Sequence, residues 1–535
     1  MTASLSPKTP ATFDQARITV LLASLLVALG SGTNYVPYGP QLGAKLGISH
    51  TQLNLVGIGG NVGVNLSGPI WGRIVDARGP KLLMVAGLAL LFMGYSGIRW
   101  IYDAGLPKDA TELSNLAIAS LIACSFMTGL GGNGGLTAAT NTTARTFPDK
   151  VRASTIGLVK SGFGLSAFLF STIAHIAFPG NTSSFLFLLS LGTSFPMLVG
   201  IFLVHPIPPV SSDTYHEIDH ASPSVHDDDI QMHPTAHRSE TLEGDLGHRQ
   251  PSMPADGYFR GVQGGHAIEL GSPQVLRSPH VSGPALNIYG VRLWKSIDFW
   301  IPFATMSLLS GSGLMYINNV GSMAQALYTY RNVDRYDAID ASQWQAKQVS
   351  TISLMNFSGR ILIGLLSDFI KSRFGLPRST LLILVAFILL CSQVASAYIE
   401  DVSILWRASA LLGLGYGGMF SLFATLCIEW YGLPHFSENW GYLSLSPLIG
   451  ANIFSLAFGR NIDAHQRTDT GYMPPPAKIP ARQCLEGLAC YVDSIYLTIG
   501  ACTCAIALSI WTAWRDRRKQ AEAGRVGGYS RLEVI

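Results

Sequence analysis

Twelve segments of about 20 predominantly apolar residues run through this chain of 535 residues. Segments of that length cross a bilayer as α-helices, because a helix satisfies its own backbone hydrogen bonds in lipid. The segments predict an all-α, polytopic membrane protein with two pseudo-symmetric bundles of six helices. Their approximate bounds are 17–38, 52–72, 81–102, 113–138, 153–177, 184–205, 297–320, 347–370, 379–399, 404–430, 439–459 and 491–514.

The composition excludes the main alternatives to a membrane protein. Charged residues make up 13% of the chain, about half the share in an average soluble protein. The sequence has no Gly-x4-Gly-Lys-Ser/Thr loop for ATP and no clustered nucleophile, metal-ligand set or paired carboxylates. We therefore expect neither an enzyme nor a cofactor, and we expect no nucleic-acid partner. The expected partners are the lipid bilayer and a small solute.

A polar segment separates the two groups of six spans. Residues 211–290 hold eleven Asp or Glu, four Lys or Arg and eight of the thirteen His. Low apolar content and high Pro and Ser predict a disordered linker. The predicted organisation is an N-terminal tail (1–16), a first bundle (17–205), the linker (206–296), a second bundle (297–514) and a C-terminal tail (515–535).

Loop charges predict the orientation. With both termini in the cytosol, the inner tails and loops carry seventeen Lys and Arg, against eleven in the short outer loops. This topology places Cys484 and Cys490 together outside, where a local disulfide and two free thiols are both open alternatives. The stretch Tyr529-Ser530-Arg531-Leu532 in the tail fits a Tyr-x-x-bulky signal for a sorting adaptor.

One short pattern occurs at the inner end of the second span and again at the eighth. Residues 72–81 are GRIVDARGPK and residues 364–373 are GLLSDFIKSR. Each copy places an Asp, Asp76 or Asp368, four residues after a Gly. Two copies at matching positions of the two halves indicate an internal repeat.

The first copy resembles the loop between helices two and three of the major facilitator superfamily, Gly-x-x-x-Asp-Arg-x-Gly-Arg-Lys. Gly72, Asp76, Gly79 and Lys81 match, and Arg78 stands one place after the missing cation. The resemblance implies that Asp76 contacts a helix end in the other half and closes the cytosolic side. Charges that merely fix loop topology are the competing interpretation. Glu429 and Asp368, at other inner helix ends, are further gating candidates.

A narrower resemblance covers most of both halves. The chain is similar to the nodulin-like branch of that superfamily, which includes fungal monocarboxylate-permease homologues. This resemblance, with the tail signal, favours the vacuolar membrane over the plasma membrane. The matching stretches are GTNY (32–35), GGNG (131–134), GLVKSGFGLS (157–166), NFSGR (356–360), GYGG (415–418) and EWYGLPHF (429–436).

Two basic residues lie near the middle of predicted spans. Lys160 is in the fifth and Arg360 in the eighth, and an ionisable side chain at that depth costs about 3 kcal/mol on insertion scales. In the facilitator architecture these helices face each other across the halves. Two cations without an obvious carboxylate predict a site for an anion, although hydrogen bonds to backbone carbonyls would also explain them. Asn356 stands where monocarboxylate transporters carry an Asp four residues before their Arg.

Polar residues of other spans complete the predicted substrate site. They are Asn34, Tyr35, Asn133 and Tyr316, for which polar contacts between helices are the competing interpretation. The sequence as a whole predicts a secondary transporter of a small organic anion, such as a monocarboxylate, that works by alternating access. The alternative is a transport-inactive nutrient receptor of the same fold.

Overall fold

The computed structural model describes residues 12–32, 38–48, 50–106, 113–178, 181–207, 287–465 and 484–532. Helices occupy the positions of all twelve predicted spans. The described helices belong to one unit, Met1–Pro209 with Pro284–Ile535, and Val210–Gly283 are assigned to a second unit that lies outside the described residues. Most of the predicted linker, including all of its His residues, therefore lies outside them too.

The first half supplies seven helices for six predicted spans. The span predicted over 17–38 corresponds to a helix that ends at Gly30, and residues 33–37 lie outside the described ones. The helices are α1 (Gln15–Gly30), α2 (Gly39–Leu46), α3 (His50–Arg78), α4 (Lys81–Ala104), α5 (Asn115–Thr146), α6 (Asp149–Ala177) and α7 (Thr182–Leu203).

The second half begins inside the predicted linker, because a short helix α8 (Val291–Trp294) precedes the seventh span. The predicted eleventh span is two helices, α13 (Phe436–Leu443) and α14 (Ser446–Ala464). Pro447 lies in the first turn of α14, where its missing N–H costs no helical hydrogen bond. The remaining helices are α9 (Ile297–Arg331), α10 (Ala338–Phe374), α11 (Thr380–Tyr398), α12 (Trp406–Tyr431), α13 (Phe436–Leu443), α14 (Ser446–Ala464) and α15 (Val492–Leu532).

Nine helical segments within the described ranges have the length and hydropathy of a membrane span. The helix α1 has 16 residues and is shorter, whereas α3 and α9 dilute their apolar residues with Gly, Asn and Ser. Large apolar side chains lie exposed on the outside of the bundles, such as Trp100 at 74% and Leu116 at 79%. A bilayer would cover such a surface, which confirms the predicted all-α membrane fold.

Each half has its own apolar core. One cluster joins Leu21, Leu91 and Leu189 of α1, α4 and α7, and the other is built almost wholly from the second half. The halves meet where α3 crosses α13 and where α6 crosses α10. At these crossings glycines allow backbone contact: a Cβ on Gly72 would collide with the Ser437 carbonyl, and one on Gly364 would lie 2.6 Å from the Ala153 carbonyl oxygen.

Cys484 and Cys490 form a disulfide, which decides between the two alternatives left open by the sequence. The bridged turn packs on the predicted outer end of α9, since a Cβ on Gly487 would lie 2.9 Å from the Tyr330 ring. Gly487 has φ +62°, a backbone conformation that favours glycine. A disulfide at this end agrees with an oxidising compartment on the predicted outer side.

Candidate substrate site and inner closure

The packing of α6 against α10 brings Lys160 and Arg360 together. A Cβ on Gly157 would collide with the Arg360 carbonyl oxygen, so the two backbones are in contact one turn from Lys160. Lys160 is 2% exposed and Arg360 is 4% exposed. Both cations are therefore buried at the boundary between the halves, and neither points into lipid.

Lys160 belongs to the first half but makes its side-chain contacts in the second. Its Nζ donates a hydrogen bond to the carbonyl oxygen of Phe420 on α12 at 3.2 Å. The same Nζ lies 3.7 Å from the ring centroid of Trp440 on α13. Lys160 thus links α6 to α12 and α13 through a carbonyl and an aromatic face, both of which are uncharged.

Arg360 reaches across the boundary in the opposite direction. Its Nη1 donates to the backbone carbonyl of Lys160 at 2.7 Å, and its Nε donates to Asn356 Oδ1 at 3.0 Å. The guanidinium also lies 5.5 Å from the ring centroid of Phe163. Its Nη2 makes no hydrogen bond to any residue that the structure describes, so both N–H groups of this nitrogen remain open to a ligand.

Lys160 and Arg360 have no acidic partner among the residues that the structure describes. Within the described ranges, neither cation forms an ion pair with an Asp or Glu. Because their partners are neutral, the positive charges of Lys160 and Arg360 are buried without compensation. This is costly unless an anion binds to them. A carboxylate or phosphate would accept hydrogen bonds from both groups, and Arg suits the two oxygens of either.

The other predicted binding residues do not all join this site. Asn356 contacts Arg360 directly. Asn133 instead donates to Ser67 Oγ at 2.9 Å and links α5 to α3. Tyr316 is fully buried within the second half, where its hydroxyl lies 3.0 Å from Ser409 Oγ. Asn34 and Tyr35 lie outside the described residues.

Asp76 lies at the inner end of α3, meaning the end that the predicted topology places toward the cytosol. Its Oδ2 accepts a hydrogen bond from the backbone N–H of Glu438 at 2.9 Å, in the first turn of α13. Its Oδ1 accepts from Asn141 Nδ2 at 2.7 Å and from Arg145 Nη2 at 3.2 Å. A carboxylate stabilises the free N–H groups and positive dipole at a helix N-terminus. Asp76 therefore joins α3 to a helix of the other half.

The remaining residues of the first repeat copy have different surroundings. Gly72 lets α3 touch α13, as described above. Arg78 and Lys81 are exposed and make no hydrogen bond or ion pair within the part of the chain described. The cation beside Asp76 is Arg145 from α5, which also donates to the Pro434 carbonyl at 3.1 Å.

Asp368, in the second repeat copy, makes the corresponding contact with α6. Its Oδ2 accepts from the backbone N–H and the Oγ of Ser154, at 2.7 and 2.6 Å. Its Oδ1 accepts from the Ala153 N–H at 3.3 Å. Each Asp of the repeat thus binds the first turns of a helix in the opposite half, and the two contacts are related by the pseudo-symmetry of the fold.

A buried Arg378 organises the charges around Asp368. Its side chain is fully buried and forms ion pairs with Asp368 at 2.7 Å, Glu429 at 2.6 Å and Asp149 at 3.0 Å. Lys371 bridges Glu429 and Asp149 at 2.5 and 2.7 Å. Since Asp149 belongs to α6, this network also joins the halves at the inner end.

Sequence reasoning missed Asn141, Arg145, Asp149 and Arg378. All four flank inner loops that the charge count had already identified, so loop position was the available signal. Their partners are far away in sequence: the Asn141–Ser437 hydrogen bond, 2.6 Å long, spans 296 residues. Among the residues that the structure describes, no group of three or more His, Cys, Asp or Glu could hold a metal ion.

Comparisons with known proteins agree with this architecture. The chain is 24% identical to an uncharacterised membrane protein of Saccharomyces cerevisiae, over 88% of this chain and 90% of that protein. It is 22% identical to a "probable transporter mch1" of Neurospora crassa, over 97% of this chain and 92% of that one.

A solved structure shares the fold at low identity. A bacterial homologue of the iron transporter ferroportin aligns with a TM-score of 0.54 and 12% identity, over 93% of this chain and 99% of that chain. Residues 20–459 match the sequence model of the Major Facilitator Superfamily. The chain belongs to the Major Facilitator Superfamily and is an integral, multi-pass membrane protein of the transporter class.

Proposed function

We propose that this protein transports a small organic anion, such as a monocarboxylate, across a membrane by alternating access. The observation that supports this cargo is the pair Lys160 and Arg360, two buried cations whose partners are neutral. A transporter that binds a neutral or cationic solute gains nothing from such a pair, because burying each charge is unfavourable. An anion reverses that penalty while it is bound.

The cargo carboxylate would bind between α6 and α10. Arg360 Nη2 has an open donor there, and the ammonium of Lys160 carries more donors than the one hydrogen bond it makes. Hydrogen bonds between charged groups are about twice as strong as neutral ones. Asn356 would position the guanidinium through its Nε contact.

Alternating access would use the contacts at the inner end. Asp76 binds α13 and Asp368 binds α6, and these contacts join the halves there together with the ion pairs of Arg378. Opening that end requires these contacts to break while equivalent contacts form at the outer end. Glu429 and Gly72 contribute to the same closure through Arg378 and through close helix packing.

Transport of the cargo would involve no gain or loss of a proton at Asn356, beside Arg360. Monocarboxylate transporters, which this part of the chain resembles, have an Asp at the position of Asn356. An amide does not ionise near neutral pH, so proton coupling through this position is not expected.

The vacuolar membrane is the proposed location. The tail carries Tyr529-Ser530-Arg531-Leu532, which would bind a sorting adaptor from the cytosol. These four residues lie in the last turn of α15. The linker and both termini would then face the cytosol, and the Cys484–Cys490 turn would face the vacuolar lumen.

Uptake into proteoliposomes tests the proposal. The purified protein is reconstituted and supplied with radiolabelled lactate, pyruvate, acetate, succinate or benzoate. We expect saturable uptake of at least one anion, and a KM at least tenfold higher in Arg360→Gln, which removes one charge-assisted contact. Unchanged kinetics in that variant would remove Arg360 from the site. Binding without uptake or exchange would instead identify a receptor.

A further inference from the structure

Trp440 lies where the substrate site meets the inner closure. The helix α13, only eight residues long, is bound at two points by the first half. Asp76 accepts from the N–H of Glu438 in its first turn, and Lys160 lies against the ring of Trp440 two residues later. One short helix therefore contacts both the proposed cargo-binding cation and the proposed gate.

The helix α13 packs closely on α3 of the first half. A Cβ on Gly68 would lie 3.1 Å from the Cα of Gly441, and a Cβ on Gly72 would meet the Ser437 carbonyl. Since α3 and α13 belong to opposite halves and touch through their backbones, the inner end opens only when these two helices separate. Whatever weakens the hold on α13 favours opening of the inner end.

We propose that Trp440 couples occupancy of the substrate site to opening of the inner end. The Lys160 ammonium holds α13 through the Trp440 ring and α12 through the Phe420 carbonyl while the site is empty. A bound carboxylate draws the ammonium toward Arg360, and the hold on α13 is released. The cargo in this step is the anion of the proposed function, on which this part of the inference rests.

The competition favours the cargo on chemical grounds. The ring and the carbonyl are neutral partners of Lys160, whereas a carboxylate pairs with the ammonium as a charged one. Arg360 lies on α10, and its Nη1 and Nε are already bound to the Lys160 carbonyl and to Asn356, so its guanidinium is fixed. A carboxylate bound to this guanidinium would therefore compete with the Trp440 ring for the Lys160 ammonium.

A native cysteine reports the opening. Cys427 on α12 is fully buried, and its Sγ lies 3.9 Å from the carbonyl oxygen of Phe436, the first residue of α13. It lies seven residues beyond Phe420 toward the inner end, about 10 Å along the helix. Access from the inner side should therefore require the inner end to open.

The experiment measures labelling of Cys427 by a membrane-impermeant maleimide applied to the inner side. The full chain is used with Cys124, Cys391, Cys502 and Cys504 replaced by Ala, and the Cys484–Cys490 disulfide is kept. Without anion, we expect Trp440→Leu to label about tenfold faster than wild type, because the hold on Lys160 is lost. Trp440→Phe keeps an aromatic face and should label at nearly the wild-type rate.

Anion dependence is the second readout. Each anion of the uptake panel should accelerate labelling of wild type in proportion to its transport, and should leave Trp440→Leu unchanged. Trp100→Leu, on the exposed surface of α4, is the matched control for loss of a tryptophan and should behave as wild type. Elution as a single symmetric peak in size-exclusion chromatography establishes that each variant is folded.

The outcomes separate this inference from the proposed function. A Trp440→Leu variant that labels like wild type without anion, or that still responds fully to a transported anion, overturns the coupling role even if uptake is normal. Fast labelling of Trp440→Leu together with no anion uptake by wild type would support the role of the Lys160–Trp440 contact in closing the inner end. The same result would overturn the proposed cargo.

Discussion

Arg360 Nη1 donates a hydrogen bond of 2.7 Å to the backbone carbonyl of Lys160, so a cation of one half is bound to the backbone that carries the cation of the other. The two positive groups are thereby fixed beside each other, although they repel. Such an arrangement is stable only when packing and hydrogen bonds to neutral groups outweigh the repulsion between the two cations. It also makes the position suited to an anion.

Replacing Arg360 by Lys should separate charge from geometry. Arg360→Lys keeps the positive charge but loses the fork that binds Asn356, Lys160 and the cargo together. We expect the KM for the anion to rise about tenfold, less than in Arg360→Gln, with folding retained. Initial uptake rates over a concentration series measure this. Equal effects of Lys and Gln would mean that charge at this position does not matter.

Replacing Asn356 by Asp should make uptake sensitive to pH. An ionised Asp at this position would pair with Arg360 and compensate its charge, whereas a protonated one would not. The KM of Asn356→Asp for the anion should therefore fall as the pH is lowered, more steeply than in wild type. Uptake across a pH series at fixed membrane potential tests this. Parallel profiles of the two proteins would place Asn356 outside the site.

Removing the charge of Asp76 should weaken the inner closure. Asp76→Asn loses a charge-assisted hydrogen bond to the N-terminus of α13, which costs about 1.5–3 kcal/mol. We expect faster maleimide labelling of Cys427 from the inner side. Arg145→Ala should have a smaller effect, and the double variant should show less than the sum, because both residues share one contact. Strict additivity would contradict the network.

Arg378→Leu should be severely destabilising. It would leave Asp149, Asp368 and Glu429 around a buried position without their common cation, at a cost of about 3–5 kcal/mol. A thermal-shift measurement in detergent should show a clear loss of Tm, partly restored by adding Glu429→Gln. Arg373→Leu, an exposed neighbour, is the control and should change little. A normal Tm for Arg378→Leu would refute the structural role of this cluster.

The sequence was enough to predict the fold class and the positions of the helices, because apolar length is a direct requirement of the bilayer. The repeat also predicted that Asp76 and Asp368 occupy matching helix ends. Their partners were not predictable, since Asn141 and Ser437 meet only after two bundles are packed together. The break between α13 and α14 was missed because the predicted span over 439–459 runs across it as one segment.

The direction in which a side chain of a predicted span faces was also hard to predict from the sequence. Tyr316 was predicted to line the substrate site because the seventh helix lines the cavity in this superfamily, with polar contacts between helices as the alternative. In the structure its hydroxyl is paired with Ser409 inside the second half, and helical periodicity could not show this because polar and apolar residues are spread around every face of α9. Lys160 and Arg360 were easier to identify, because a charge in mid-membrane is rare enough to stand out without a known orientation.

The sign of the cargo is the central claim, and a matched pair of solutes tests it most directly. Lactate and lactamide have nearly the same size and differ in charge at the carboxyl position. With the wild-type protein in proteoliposomes, we predict saturable uptake of lactate. We predict no uptake of lactamide above the protein-free background. Uptake of lactamide at a rate equal to or above that of lactate would contradict an anion site at Lys160 and Arg360.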